Sequence, residues 1–330
     1  VSEQTLFRYI RAEKTAEEGF AIGEMHVYAS DEKIDYGFDS KNSAAFFDDE
    51  TDEQAYKIPA DIAGTDLEPI ISVLRPLRLM RGYEDGTFCP ENNVSRAEFA
   101  AVCARLRGVA ANISDGASDF SDVPSDHWAY GYIMAMKGIG AVNGRGGNTF
   151  EPEGKVTYGE AVKMLVNILG YGAVAENYGV YPGGYFRAAQ PLGLLFDGKA
   201  ADAPMTRADI ARILYKAINA DVLTQTVYGN RSEGVVEQGT TILAKSHDIY
   251  RYRGIFTGCA LSCITDELLN LAPGNVQIDG KIFLCDVPGA ERFLGMYVEY
   301  YVKEQPDGEE KIVAVTAHRK NIVTTVTAED

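Results

Sequence analysis

The stretch from Gly82 to Gly108, GYEDGTFCPENNVSRAEFAAVCARLRG, carries three structural signals in a fixed order. Glu84-Asp85-Gly86 is turn chemistry, with Gly86 free to take the positive φ of a tight turn. Ser95-Arg96-Ala97-Glu98 is a capping box: the Ser95 hydroxyl starts a helix and Glu98 reaches back to the cap amide. Phe99, Val102, Cys103 and Leu106 then recur at i, i+3, i+4 and i+7, the stripe of an amphipathic helix. The unit returns. Gly82, Thr87, Phe88, Pro90, Val94 and Glu98 are matched by Gly144, Thr149, Phe150, Pro152, Val156 and Glu160. The second cap is Thr157, and its stripe is Ala161, Met164, Leu165 and Ile168. Met205-Thr206-Arg207-Ala208-Asp209 opens a third helix with stripe Ile210, Ile213, Leu214 and Ala217. A capped helix cannot bury its stripe alone, so the repeats must cover one another in a triplicated domain.

GYEDGTF followed by VSRAEF resembles the S-layer homology (SLH) motif. So does FSDVPSDHWAYGYI, Phe120 to Ile133, leading into NGRGGNTFEP. The third copy keeps MTRAD and the preceding LGLL segment, so the resemblance covers roughly residues 65 to 220. It divides them into repeats at about 65–115, 116–172 and 173–220. The resemblance implies a pseudo-threefold, mostly helical prism that binds secondary polymers of the bacterial cell wall, typically sugars carrying a pyruvate ketal. It also implies ligand-binding roles for Arg96, Arg207, Trp128, Asp122, Gly82 and Gly144. A guanidinium is permanently charged and offers a planar fork to a carboxylate. The plainer reading makes Trp128 a core residue and has the arginines tie neighbouring acids. The cap pairs Ser95/Glu98, Thr157/Glu160 and Thr206/Asp209 are structural in either case.

Each repeat departs from the family pattern somewhere. The first has Thr65 and Asp66 where the second has His127 and Trp128, and its opening helix is expected over Leu67 to Leu79. The second has Tyr158 where the motif expects arginine, so its site is expected to be weak. The third retains Arg207 but shortens the preceding loop to FDGKAADAP. Tyr178, Tyr181 and Tyr185 stand ahead of that loop as replacements for its tryptophan.

From about Asp221 the pattern changes from helix to strand. Val222–Tyr228, Thr241–Ala244 and Ile249–Thr257 are strand-like runs. Asp279-Gly280 is a hairpin turn between Val276–Ile278 and Ile282–Leu284. Met296–Val302 and Ile312–Ala317 flank the turn at Pro306-Asp307-Gly308, and Leu268, Leu269 and Leu271 suggest a helical connection. Residues 221–330 therefore read as an antiparallel β module, barrel-like or a small sandwich, in an α+β multidomain chain. Asn321 to Thr327 is strand-like to the end, as in a fragment of something longer. Residues 1–64 read as an extension packing on the first repeat or on a neighbouring subunit, with a short strand at Met25–Tyr28. Its acidic run, Asp48-Asp49-Glu50 with Asp52 and Glu53, lacks the order of a calcium loop and reads as a solvated face.

A formal charge of −17 argues against nucleic acid, which demands a basic face. There is no apolar run long enough for a transmembrane helix. Val1 to Phe7 lack signal-peptide character, so export implies that a signal has already been removed. Of five cysteines, Cys103 sits on a stripe as a buried thiol, while pairing among Cys259, Cys263 and Cys285 stays open. The four histidines are scattered, and no HExxH, GxSxG or P-loop occurs. The expectation is a non-enzymatic extracellular protein without metal or cofactor, held to an anionic wall polysaccharide through several modest sites. The alternative is a self-assembling lattice or filament subunit whose degenerate repeats make contacts with copies of itself.

Overall fold

The computed structural model describes residues 12–14, 20–22, 53–83, 85–109, 118–228, 231–264, 271–285, 287–305 and 308–322. The expectations for Met25–Tyr28, for Asp48, Asp49, Glu50 and Asp52, for Leu268 and Leu269, and for residues beyond Ile322 lie outside these residues. The chain divides into two compact units, one within residues 34–250 and one of residues 251–330 with residues of 1–33. The architecture is α+β.

The first unit is mainly helical. Its helices are α1 (Glu68–Leu74), α2 (Arg96–Leu106), α3 (Tyr130–Gly138), α4 (Tyr158–Ile168), α5 (Gly172–Tyr178), α6 (Gly183–Ala189), α7 (Arg207–Ala217) and α8 (Ile242–His247). Helix α1 ends before the expected Leu79 because the chain turns back through a left-handed Arg78, with Leu79 N donating to Leu74 O. All three capping boxes form, at Ser95/Glu98, Thr157/Glu160 and Thr206/Asp209. The stripes behind them are buried, as a shared core requires.

Three backbone hydrogen bonds join the repeats in a ring. Val94 N donates to Met205 O at 3.1 Å, Met205 N to Val156 O at 2.9 Å, and Val156 N to Val94 O at 3.0 Å. Around this ring the first helical amides meet the adjacent loop in equivalent register. Arg96 N donates to Gly154 O, Tyr158 N to Ala203 O and Arg207 N to Asn92 O, each at 2.8 Å. The orphan amides of each helix start are thereby satisfied by the neighbouring repeat rather than by water.

The strands of the described residues begin with β1 (Ala12–Lys14) and β2 (Phe20–Ile22), an antiparallel pair. Strands β3 (Asp221–Tyr228) and β4 (Arg231–Thr241) form a second antiparallel pair. The run Thr241–Ala244 is not a strand: Thr241 caps α8, its hydroxyl accepting from Ala244 N at 3.3 Å. Strands β5 (Ile249–Cys259), β6 (Asn275–Ile278), β7 (Lys281–Cys285), β8 (Tyr297–Glu304) and β9 (Glu310–Ala317) form one sheet, with neighbours in the order β5-β6-β7-β9-β8. The Asp279-Gly280 hairpin is present, with positive φ at both residues. The sheet is mixed rather than wholly antiparallel. The β8–β9 hairpin enters with β9 beside β7, and those two strands run parallel through Leu284↔Lys311 and Cys285↔Ile312.

Candidate functional site

The first residue of each capped helix enters the loop of the adjacent repeat. Arg96 is 2% exposed; its Nε donates to Phe150 O at 2.8 Å and its Nη2 to Asn143 O at 3.1 Å. Its Nη1 lies 2.6 Å from Glu160 Oε1, and the guanidinium covers the Phe150 ring at 4.4 Å. Arg207, 5% exposed, repeats the arrangement: Nε donates to Phe88 O at 2.7 Å and Nη2 donates to Arg81 O. Its guanidinium covers Phe88 at 4.6 Å and Tyr83 at 4.8 Å. Tyr158, the residue in the arginine position of the second repeat, uses a different chemistry at the same place. Its hydroxyl accepts from Phe196 N at 2.6 Å while its ring packs on Phe186 and Phe196.

Asp122 holds the loop that Arg96 enters, accepting from Phe150 N at 2.8 Å and Glu151 N at 2.7 Å. These two amides hold its carboxyl below the usual range even though partial burial opposes ionisation. Asp61, just ahead of the boundary expected for the first repeat, holds the equivalent loop there by accepting hydrogen bonds from Phe88 N and Cys89 N. Sequence comparison missed Asp61 because its register is displaced by one residue from the rest of the repeat; the shared Asp-Ile and Asp-Val dipeptides, Asp61-Ile62 and Asp122-Val123, were the available signal. Gly82 and Gly144 lie where the loop folds back on itself. A Cβ on Gly82 would sit 2.8 Å from Thr87 O, and one on Gly144 would sit 2.6 Å from Thr149 O.

A charged network surrounds Arg96. Arg145 places Nε and Nη2 each 2.9 Å from the two Glu160 oxygens, and Nη1 2.7 Å from Glu151 Oε2. Burial raises the Glu160 pKa, but the Arg145 fork, the Thr157 amide and Arg96 outweigh it and hold the carboxyl below its ordinary value. A folded pKa below the unfolded one stabilises the fold above the unfolded pKa and is lost as pH falls through the folded value. Glu160→Gln should therefore narrow its stability gap from the parent as pH falls below about 4.5, the unperturbed glutamate value. Urea unfolding at several pH values checks this; a gap independent of pH would refute it.

The remaining sequence candidates are dispersed. Trp128 is partly exposed and stacks beside His127, centroids 5.8 Å apart. His127 serves a turn, Nδ1 accepting from Ala129 N at 3.1 Å, with Nε2 3.6 Å from Glu153. In the shortened third loop Lys199 pairs with the cap residue Asp209 at 2.5 Å. Tyr181 is 46% exposed and meets the buried Tyr185 edge-on, and Lys163 stands 5.6 Å and 5.5 Å from their ring centroids. The five cysteines form no disulfide, and burial pushes the Cys103 thiol pKa far up, which keeps it protonated and inert. Cys263 lies opposite Gly258 in an antiparallel bridge, with its sulfur 3.5 Å from where a Gly258 Cβ would stand. Cys259 is one residue along the strand from Gly258 and so faces the other way. No group of His, Cys, Asp and Glu that could hold a metal occurs among the described residues, and no helix there is long and apolar enough to cross a membrane.

The S-layer homology domain model matches residues 71–100 and 119–162. The chain is 31% identical over 179 residues to the middle cell wall protein of Brevibacillus brevis, covering 54% of this chain and 17% of that protein. It is 30% identical over 165 residues to the surface layer protein of Brevibacillus choshinensis, covering 49% of this chain and 15% of that one. The cell surface protein of Thermoanaerobacter kivui is 25% identical over 275 residues, covering 79% of this chain and 34% of that protein. The chain thus spans between 15% and 34% of the length of these relatives.

Proposed function

The chain carries the S-layer homology domain of bacterial surface proteins, and from that premise we propose that its three repeats anchor it outside the cell to an acidic, pyruvylated secondary polysaccharide of the wall. The observation that carries this reading is the cluster at the junction of the first two repeats. Arg96, Arg145 and Glu160 form a rigid charged frame there, and the partly exposed Tyr181 lies nearby with Lys163 above its ring. Carbohydrate recognition combines such aromatic surface with a few fixed polar groups. In this reading Arg96 and Arg207 shape the clefts from inside, and Asp122, Gly82 and Gly144 hold the loops that line them. The ring of inter-repeat hydrogen bonds supports a pseudo-threefold prism. The bonds from Phe256 N to Met296 O and from Gly295 N to Phe256 O support a barrel-like second unit. The protein acts by attachment rather than by catalysis.

The test is pelleting of the purified chain with bacterial wall sacculi before and after chemical removal of the secondary polymer. Co-sedimentation that disappears with the polymer is expected. Equal sedimentation with stripped sacculi would refute polymer recognition. A second reading, self-assembly through the repeats, is favoured by the burial of both arginines inside the protein. It requires concentration-dependent association without polymer, measured by sedimentation velocity.

A further inference from the structure

The second unit gathers cations that the attachment proposed above does not use. Strand β5 presents the exposed Arg251 and Arg253, and the turn after β9 presents the exposed Arg319 and Lys320. The two places meet at β8. Arg253 holds Nε and Nη2 each 2.9 Å from Glu299 Oε2, and Arg251 Nη1 stands 3.8 Å from the same oxygen. From the other side, His318 N donates at 2.9 Å to the carbonyl of Tyr297, two residues before Glu299. Burial and the charges of Arg253, Lys320 and Arg319 hold the His318 pKa below its ordinary value, against the pull of Glu299. One positive field therefore covers the strand and the turn.

The turn is fixed by its own bonds. Asn321 Nδ2 donates to Tyr297 O at 2.7 Å and to His318 O at 2.9 Å, and Tyr297 N donates to Asn321 Oδ1 at 2.9 Å. Lys320 N donates to His318 Nδ1 at 3.2 Å. None of these bonds uses the Arg319 or Lys320 side chain, and neither side chain has an ion pair among the described residues. Glu299, 4% exposed and bonded also by the Tyr301 hydroxyl at 3.2 Å, satisfies Arg253. Arg251, Arg319 and Lys320 remain as an excess of positive charge on a chain whose formal charge is −17. Acids elsewhere repel a polyanion, so its contact is confined to this face.

A single exposed ion pair is worth little in water, but a chain with a charge in every repeat engages several cations at once. A phosphodiester offers two oxygens to a guanidinium fork and serves an ammonium equally well as a point charge, which suits a mixed arginine and lysine set. We infer that this face of the second unit binds a linear polymer carrying a phosphodiester in each repeat, through Arg251, Arg319 and Lys320. It is independent of the carboxylate-bearing polymer proposed for the repeats: either can fail while the other stands.

The test is binding of the full chain to labelled poly(glycerol phosphate), read by fluorescence anisotropy at several salt concentrations. With three phosphates neutralised, affinity should fall about tenfold as salt rises about threefold. Arg319→Gln combined with Lys320→Gln leaves one open cation, so binding should weaken and the same rise in salt should cost only about twofold. Lys303→Gln removes a cation at the other end of β8 and should change neither quantity. Melting curves verify folding. Should the double variant melt early, Arg251→Gln supplies the comparison, with a fall of about fivefold expected. No binding by the parent, or a double variant with the parent's affinity and salt dependence, overturns the proposal. Equal affinity for polygalacturonate of the same charge number also overturns it, making the face a general polyanion surface. Tighter binding of single-stranded DNA of that charge number overturns it in favour of nucleic acid.

Discussion

Arg96→Ala should destabilise the repeat unit by about 3–5 kcal/mol, the scale for removing one partner of a buried ion pair. The guanidinium fills the junction between the first and second repeats, and its loss leaves three acceptors behind: Phe150 O, Asn143 O and Glu160. Glu160 keeps Arg145, so most of the loss comes from the buried carbonyls and the emptied space over Phe150. Arg96→Lys retains the charge but not the fork and should recover only a minor part. Urea unfolding provides the test, and an Arg96→Ala chain within about 1 kcal/mol of the parent, a surface-like effect, would remove the arginine from its structural role.

Gly170→Ala should cost at least about 3 kcal/mol, combining left-handed strain with a backbone collision. Gly170 sits at φ +92° just after α4, and an added Cβ would fall 1.9 Å from Leu223 O. The carbonyl cannot easily retreat. Leu223 N donates to Leu169 O at 2.9 Å, and Tyr171 Oη donates to Asp221 O at 3.2 Å, so β3 is bound to the chain at the end of α4 at two points. Gly198 is the control: its φ is +71° with nothing within 4 Å of an added Cβ, so Gly198→Ala should show the strain alone, about 1–2 kcal/mol. Thermal melting separates the two, and equal losses would show that the contact with Leu223 yields cheaply.

The parts of the fold legible in the sequence were those encoded within a few residues. Ser95, Thr157 and Thr206 each declare a helix start because cap and partner are three residues apart. The Asp279-Gly280 hairpin is equally local. Thr241–Ala244 misled because a short apolar run after threonine suits a strand or a capped helix alike, and here the cap prevailed. The parallel pairing of β7 with β9 is invisible locally, since it depends on where a hairpin docks.

The candidate site divides in the same way. Arg96 and Arg207 were found by position, but their burial follows from the loops of adjacent repeats, which periodicity does not report. Asp61 escaped notice through a one-residue shift. Lys163 lies off the apolar stripe of its helix, and its proximity to Tyr181 depends on a segment that returns from the next repeat.

The ring through Val94, Met205 and Val156 has a consequence for the number of repeats. In an open stack each added unit covers the last, and the two ends require special caps. Here every donor has its acceptor only when the third copy returns to the first, so the arrangement has no ends and no spare place. Deleting a copy strands a donor on one neighbour and an acceptor on the other, and a fourth would have to break an existing bond to enter. Three is therefore a closure condition of this backbone: the count is indivisible.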